Sequence, residues 1–149
     1  MDARFRFSTD PSDIDRALVH RWLSEQAYWA LGRAREVQDA AIAASRNYAV
    51  VDTDTGTQVA YARVVTDGVT FAWLCDVFVQ PDVRGYGVGV ALIDGVIADL
   101  EPLGLRRVLL ATADAHGLYE QFGFTDPGPT ALVRPAAQLP VHPSQVPTA

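Results

Sequence analysis

The stretch Phe78–Leu100, FVQPDVRGYGVGVALIDGVIADL, constrains the fold more than any other part of this chain. An apolar run stops at Pro81, and a short loop then carries Arg84 with glycine at positions 85, 87 and 89. Apolar residues afterwards recur at helical spacing, which predicts a helix over Val88–Leu100. A loop that enters a helix from a strand aims several unpaired N–H groups and the positive end of the helix dipole at one point. Glycines let the backbone turn sharply and let a ligand approach the main chain. With Arg84 as a fixed cation, the physical reading is a cradle for a phosphate or pyrophosphate. The plain alternative is a glycine-rich connection with one exposed arginine.

Two familiar cradles fit poorly. A dinucleotide fingerprint needs a sixth-position glycine, and counting from Gly85 that place is Val90. The Walker loop needs a lysine, and every one of the 12 basic residues here is arginine. The same absence removes any mechanism built on a catalytic lysine. With a net charge of −6 and no basic stripe, nucleic acid is not an expected partner. The one cysteine, Cys75, allows no intrachain disulfide, and the scattered His20, His116 and His142 give no metal-ligand spacing. No apolar run is long enough for a membrane span, and the N-terminus has no hydrophobic signal core, so a cytoplasmic protein without a membrane partner is expected.

The rest of the chain supplies a context for the loop. Phe5 and Phe7 alternate with polar neighbours as in a half-buried strand. A helix follows, with Asp10 or Ser12 as its N-cap and Ile14, Leu18, Trp22 and Leu23 as its stripe. A second helix is expected over Arg35–Ser45, with Val37, Ala41 and Ala44 inward. Three strands then form an antiparallel meander ending at Val79, its last turn marked by Asp67–Gly68. Beyond the Val88–Leu100 helix lie a short strand in RRVLLAT, a short helix in DAHGLYEQFGF with Asp114 as N-cap, and a last strand in ALVRP. Residues 1–134 read as one domain, and 135–149 as an uncharged tail with four prolines.

The pattern VxPxxRGxGxGxxL is filled by Val79, Pro81, Arg84, Gly85, Gly87, Gly89 and Leu92. About thirty residues on, AHGLYEQFGF places Ala115, Leu118, Tyr119, Gly123 and Phe124 in an A-x-x-L-Y-x-x-x-G-F frame. Together these resemble the two signatures of the GNAT superfamily of acyl-CoA-dependent N-acetyltransferases, and the resemblance covers residues from about 4 to 134. One departure is Thr112, seven residues before the tyrosine, where many members carry asparagine.

The resemblance implies an α+β fold: a mixed, mostly antiparallel sheet flanked by helices, splayed between the strand ending near Val79 and the strand near Val108. It implies acetyl-CoA as co-substrate, with the main chain of Val77, Phe78 and Val79 pairing the pantetheine arm like an added strand. Arg84, Gly85, Tyr86, Gly87, Val88 and Gly89 would take the pyrophosphate, and no metal is implied. Tyr119 becomes the general acid for the departing thiolate. Asp76, the only charged residue in FAWLCDVFV, becomes the candidate base; its alternative is to cap a backbone irregularity or to bond an arginine such as Arg63. Tyr28, Trp29 and Trp73 are the candidate acceptor walls, and over an acidic floor they suit a small amine carrying a cation. The rival readings are a protein N-terminus or lysine as acceptor, or a non-catalytic acyl-CoA sensor. A homodimer through exposed sheet edges is a further expectation.

Overall fold

The computed structural model describes residues 3–136. Five strands form one sheet in the order β1 (Phe5–Ser8), β2 (Arg46–Asp52), β3 (Thr57–Thr66), β4 (Phe71–Val79) and β5 (Arg107–Leu109). The first four run antiparallel and β5 joins β4 in parallel, giving the mixed, mostly antiparallel sheet that the sequence implied. The hairpin between β3 and β4 is held by Asp67, whose carboxylate accepts from the N–H groups of Val69 and Thr70.

Helices cover both faces. On one lies α3 (Val88–Leu100), where the helix after the loop was expected, burying Val88, Leu92, Ile93, Val96 and Leu100. Each such aliphatic side chain contributes about 1.5–3 kcal/mol when fully buried, so this helix is pinned along its length. Gly95 permits its closest approach: a Cβ there would sit 2.4 Å from ring carbons of Phe7 on β1. On the other face lie α1 (Arg16–Gln26) and α2 (Arg35–Ala43). Val19, Trp22 and Leu23 of α1 pack with Ile42, Tyr61 and Phe78 into a second, smaller core.

The structure differs from expectation at the start of α1, on the inner face of α2 and at the last strand. Asp15, not Asp10 or Ser12, caps α1 by accepting from Leu18 N at 3.0 Å, because Asp10 is used by a separate 3₁₀ turn at Pro11–Asp13. In α2 the buried residues are Gln38 and Ile42, while Val37 is 57% exposed, so the helix is turned by about one residue from its apolar pattern. A polar demand outweighs the apolar count there, since Gln38 is needed inside, as shown below. The last strand is not formed: residues 131–136 have no regular structure and Leu132 is fully exposed. Val133 and Leu132 find no apolar face, so β-propensity has nothing to act on. Of the proline-rich tail, residues 137–149 lie outside the described residues.

Two features of β4 position the site. Pairing with β5 covers only Phe71–Trp73, so from Leu74 to Val79 no strand lies on that side among the described residues and the sheet opens. On its other side the register with β3 shifts between Tyr61↔Phe78 and Arg63↔Cys75, which inserts one extra residue into β4. That bulge is at Asp76, the only described non-glycine residue with positive φ, at 53°. It reverses the alternation, so Leu74 and Val77 both face α3 while Asp76 and Phe78 face α1 and α2.

Candidate active site

The Gly-rich loop leaves β4 through a 3₁₀ turn at Pro81–Val83 and enters α3 at Val88. Gly85 and Gly87 have φ of 90° and 77°, a region where an L side chain is strained. No side chain caps α3, so its first N–H groups are presented to the outside of the loop. Val88 itself is buried and anchors this presentation. Arg84 folds back: its Nε donates to Val79 O at 2.9 Å and its guanidinium stands 5.5 Å from the Phe78 ring centroid. The cation is thus held at the junction of strand and loop. Tyr86 is 55% exposed beside Phe5, its ring centroid 6.1 Å away.

Across the opening of the sheet stands α4 (His116–Glu120). Its start is secured by Thr112, whose Oγ1 accepts from Ala115 N at 3.1 Å, and not by the expected Asp114. Tyr119 is the buried residue of this helix and meets Phe124 edge-on at 5.9 Å. Burial pushes its phenol up to about 12, so it stays protonated at neutral pH. Leu118 and Val79 flank Gly89, at 4.0 and 3.7 Å from where its Cβ would be, so strand end, α3 and α4 meet at this point.

The third part is the link between α1 and α2. The Tyr28 hydroxyl accepts from Ala113 N at 3.0 Å, which ties the link to the segment leading into α4. The Tyr28 and Trp29 rings meet edge-on at 5.0 Å. Trp29 Nε1 then donates to Asp76 Oδ1 at 2.9 Å. Asp76 Oδ2 accepts from Arg33 Nη1 at 2.8 Å and from Arg63 Nε at 2.9 Å. Burial opposes ionisation of this carboxyl, but Arg33 and Arg63 outweigh it and hold it below the usual carboxylate range. Arg33 Nη1 also donates to Gln38 Oε1, and Arg63 Nη1 to Ser45 Oγ.

Asp76 therefore bonds Arg63, as its alternative reading named; it lies at the backbone irregularity itself, but its carboxylate caps no main-chain group there. It also brings in Trp29 and Arg33. The acidic floor expected for a cationic acceptor is countered by two guanidiniums, so this part of the site carries excess positive charge. Trp73 stands on the same face of β4, half-buried, opposite Val65. Cys75 is not poised as a nucleophile, because burial pushes its thiol up to about 11. Arg33, Gln38 and Ser45 were not singled out by the sequence. The only signal for Arg33 is its place just after Gly32 in the AYWALGR link. Among the described residues no group of three His, Cys, Asp or Glu side chains could hold a metal, and no helix is long and apolar enough to cross a membrane.

The sequence model described as the Acetyltransferase (GNAT) family matches residues 16–124. The chain belongs to the GNAT acetyltransferase family. A GNAT-family protein from Xanthomonas campestris pv. campestris is 46% identical, with a TM-score of 0.81 over 89% of this chain and 92% of that one. The ribosomal-protein-S18-alanine N-acetyltransferase of Escherichia coli shares the fold at 24% identity, with a TM-score of 0.65 over 82% of this chain and 78% of that one. Among curated relatives, the chloroplastic serotonin N-acetyltransferase 2 of Oryza sativa subsp. japonica is 39% identical over 70 residues, 46% of this chain and 35% of the relative. The mycothiol acetyltransferase of Geodermatophilus obscurus is 47% identical over 51 residues, 32% of this chain and 17% of the relative. The matches thus span about a third or less of these curated relatives' lengths.

Proposed function

We propose that this GNAT protein transfers the acetyl group of acetyl-CoA to the amine of a small molecule, in the cytoplasm. The observation that carries the reading is the continuity of the cleft: an unpaired edge of β4 runs directly into the uncapped start of α3, with a buried, protonated tyrosine across the opening. The pantetheine amides would add to β4 as a strand along Val77–Val79. The N–H groups from Gly85 to Gly89, with Arg84, would meet the pyrophosphate. For this chemistry acetyl-CoA supplies the acyl group and leaves as the thiol.

The neutral amine attacks the thioester carbonyl directly, the C–S bond breaks, and the phenol of Tyr119 gives its proton to the departing sulfur; the proton shed by the new amide nitrogen returns through solvent to the tyrosinate. Asp76, the candidate base, is ionised but held by three donors. In this reading it stays ionised and positions Trp29 and the two arginines, while the amine loses its proton to solvent. Tyr28 and Trp29 line the acceptor side, since one reaches the α4 entrance and the other reaches Asp76. Trp73 extends that wall along β4. A small acceptor is favoured over a protein segment because these groups are knit to one another by direct contacts. Pairing of two copies through the exposed edge of β5 is compatible with this site.

Thermal unfolding with and without acetyl-CoA tests the cradle. Ligand at a hundred times its dissociation constant adds about 2.7 kcal/mol, a shift of several degrees for a domain of this size. No shift at millimolar acetyl-CoA would remove the basis of the proposal. Thiol release on adding amines then separates an enzyme from a sensor.

A further inference from the structure

The Asp76 cluster is unbalanced, and that imbalance has a chemical meaning. Two guanidiniums, Arg33 and Arg63, share a single carboxylate. The side chains of Arg33 and Arg63 are only 20% and 14% exposed, and that of Asp76 is 1% exposed. An excess charge removed from most of its water is poorly compensated unless an opposite charge arrives. Donors to meet one remain. Arg33 spends Nη1 on Asp76 and Gln38, and Arg63 spends Nε on Asp76 and Nη1 on Ser45. Nε and Nη2 of Arg33 and Nη2 of Arg63 have no protein acceptor among the described residues.

A second observation concerns Gln38. It is fully buried, its Oε1 holds Arg33, and its Nε2 has no hydrogen-bond partner among the described residues. The fold therefore buries an amide at the cost of an orphaned donor in order to fix this arginine. An unpaired buried donor is uncommon in a folded core and calls for a reason. The neighbouring surface is apolar. In register, Val65 lies opposite Trp73, two residues along from Arg63 opposite Cys75, so Val65 and Trp73 share the face of Arg63.

We infer that the acceptor carries an oxyanion beside its amine, together with an apolar body. In this arrangement Arg33 and Arg63 receive the oxyanion, and Trp73 and Val65 receive the body. An apolar α-amino acid is the simplest member of that class. Arg33 and Arg63 are thus specificity residues, and Asp76 and Gln38 set their positions. The inference rests on the proposed acetyl transfer and narrows its acceptor away from cationic amines.

The test compares matched amines with the full chain at saturating acetyl-CoA, reading thiol release. The probes are L-phenylalanine, L-phenylalaninamide and the phosphonate analogue of phenylalanine. The amide's amine is the more easily deprotonated, so intrinsic reactivity favours it. The expected result is at least a tenfold higher kcat/KM for one of the anionic probes than for the amide, and the ratio of the two anions tells carboxylate from phosphate-type recognition. Equal or better use of the amide overturns the inference. So does a lack of turnover with all three when acetyl-CoA still raises the unfolding temperature; if acetyl-CoA gives no shift, the acetyl-transfer reading falls as well. In Arg33→Gln the anion-to-amide ratio should fall towards one, with Arg33→Lys between it and the wild type. A merely structural arginine would lower both rates alike and leave the ratio unchanged. Should Arg33→Gln fail to fold, the wild-type ratio decides alone.

Discussion

The proposed donor side and the proposed acceptor side of this molecule are built on opposite principles. The Arg84–Gly89 loop works through its main chain: Gly85 and Gly87 have positive φ, no side chain caps α3, and Tyr86 is exposed. The Asp76 cluster works through side chains drawn from β3, β4, α2 and the link before α2, and its carboxylate is almost wholly buried. A ligand part that never varies can be met by backbone, which any sequence possesses. A part that distinguishes one acceptor from another needs chosen side chains. The comparison predicts that substitutions in the cluster cost the most stability, whereas substitutions in the loop cost less stability and chiefly cost binding.

The largest effect should come from Asp76→Asn. Asparagine tolerates positive φ, so the backbone at 53° is kept and only the charge is removed. Two buried guanidiniums then lose their counter-ion, and breaking such a pair typically costs about 3–5 kcal/mol. Denaturant unfolding checks this, and a loss below about 1 kcal/mol would erase the contrast between the two sides. The pH dependence has a definite sign. The folded carboxyl lies below its unfolded value of about 3.9, so its contribution is full above that pH and is lost as pH falls through the folded value. Asp76→Asn should therefore show a flatter loss of stability than the wild type below about pH 4.

Tyr119→Phe comes next and sits between the two sides. Loss of a general acid lowers turnover by about a hundredfold or more, equivalent to about 2.7 kcal/mol in the barrier. The ring stays packed on Phe124, so stability and the acetyl-CoA shift should change little. Steady-state kinetics beside thermal unfolding separates these. Turnover equal to wild type would place the proton donor elsewhere.

The same contrast explains what the sequence could disclose. The loop was legible because its signal is local: Pro81, Arg84 and three alternating glycines declare a turn, a cation and a helix start within nine residues. The meander and α3 were legible through period and turn chemistry for the same reason. Asp76 stood out as a lone charge in an apolar strand, yet its partners did not. Arg33 and Trp29 lie 43 and 47 residues away in the chain, and nothing in their own neighbourhoods announces the pairing. The inner face of α2 was misjudged by the same cause, because Gln38 is buried to hold Arg33 and counts as polar in any periodicity. Arg84 was expected as a fixed cation, yet the contact that fixes it, its fold-back onto Val79 O, needs three-dimensional knowledge of where β4 ends. The strand expected at ALVRP failed differently, since local propensity spoke for it and no partner strand lies beside it among the described residues.

Gly87→Ala measures the loop at its most demanding point. A non-glycine residue held at φ 77° is strained by about 1–2 kcal/mol, with no steric clash to add, since nothing lies within 4 Å of the new Cβ. Stability should fall by that amount, and the acetyl-CoA shift should fall with it because the first N–H groups of α3 turn with the altered backbone. A cluster-sized loss of about 4 kcal/mol would mean that the loop is itself part of the core, contrary to the comparison.

The smallest expected effect on the fold comes from Gly89→Ala, and it separates the two sides most cleanly. Gly89 is already helical, and its added Cβ would meet only Val79 at 3.7 Å and Leu118 at 4.0 Å, ordinary contacts that displace nothing. Alanine is the better helix former, so stability should hold or rise by up to about 1 kcal/mol. The methyl nonetheless projects towards Val79 and Leu118, the gap between β4 and α4 through which the donor would run. Acetyl-CoA affinity should therefore fall while the free protein gains stability, two opposite signs from one methyl group. Calorimetric titration beside thermal unfolding reads both. If affinity is retained, the donor does not pass between strand end and α4, and the glycine at this place serves the helix alone.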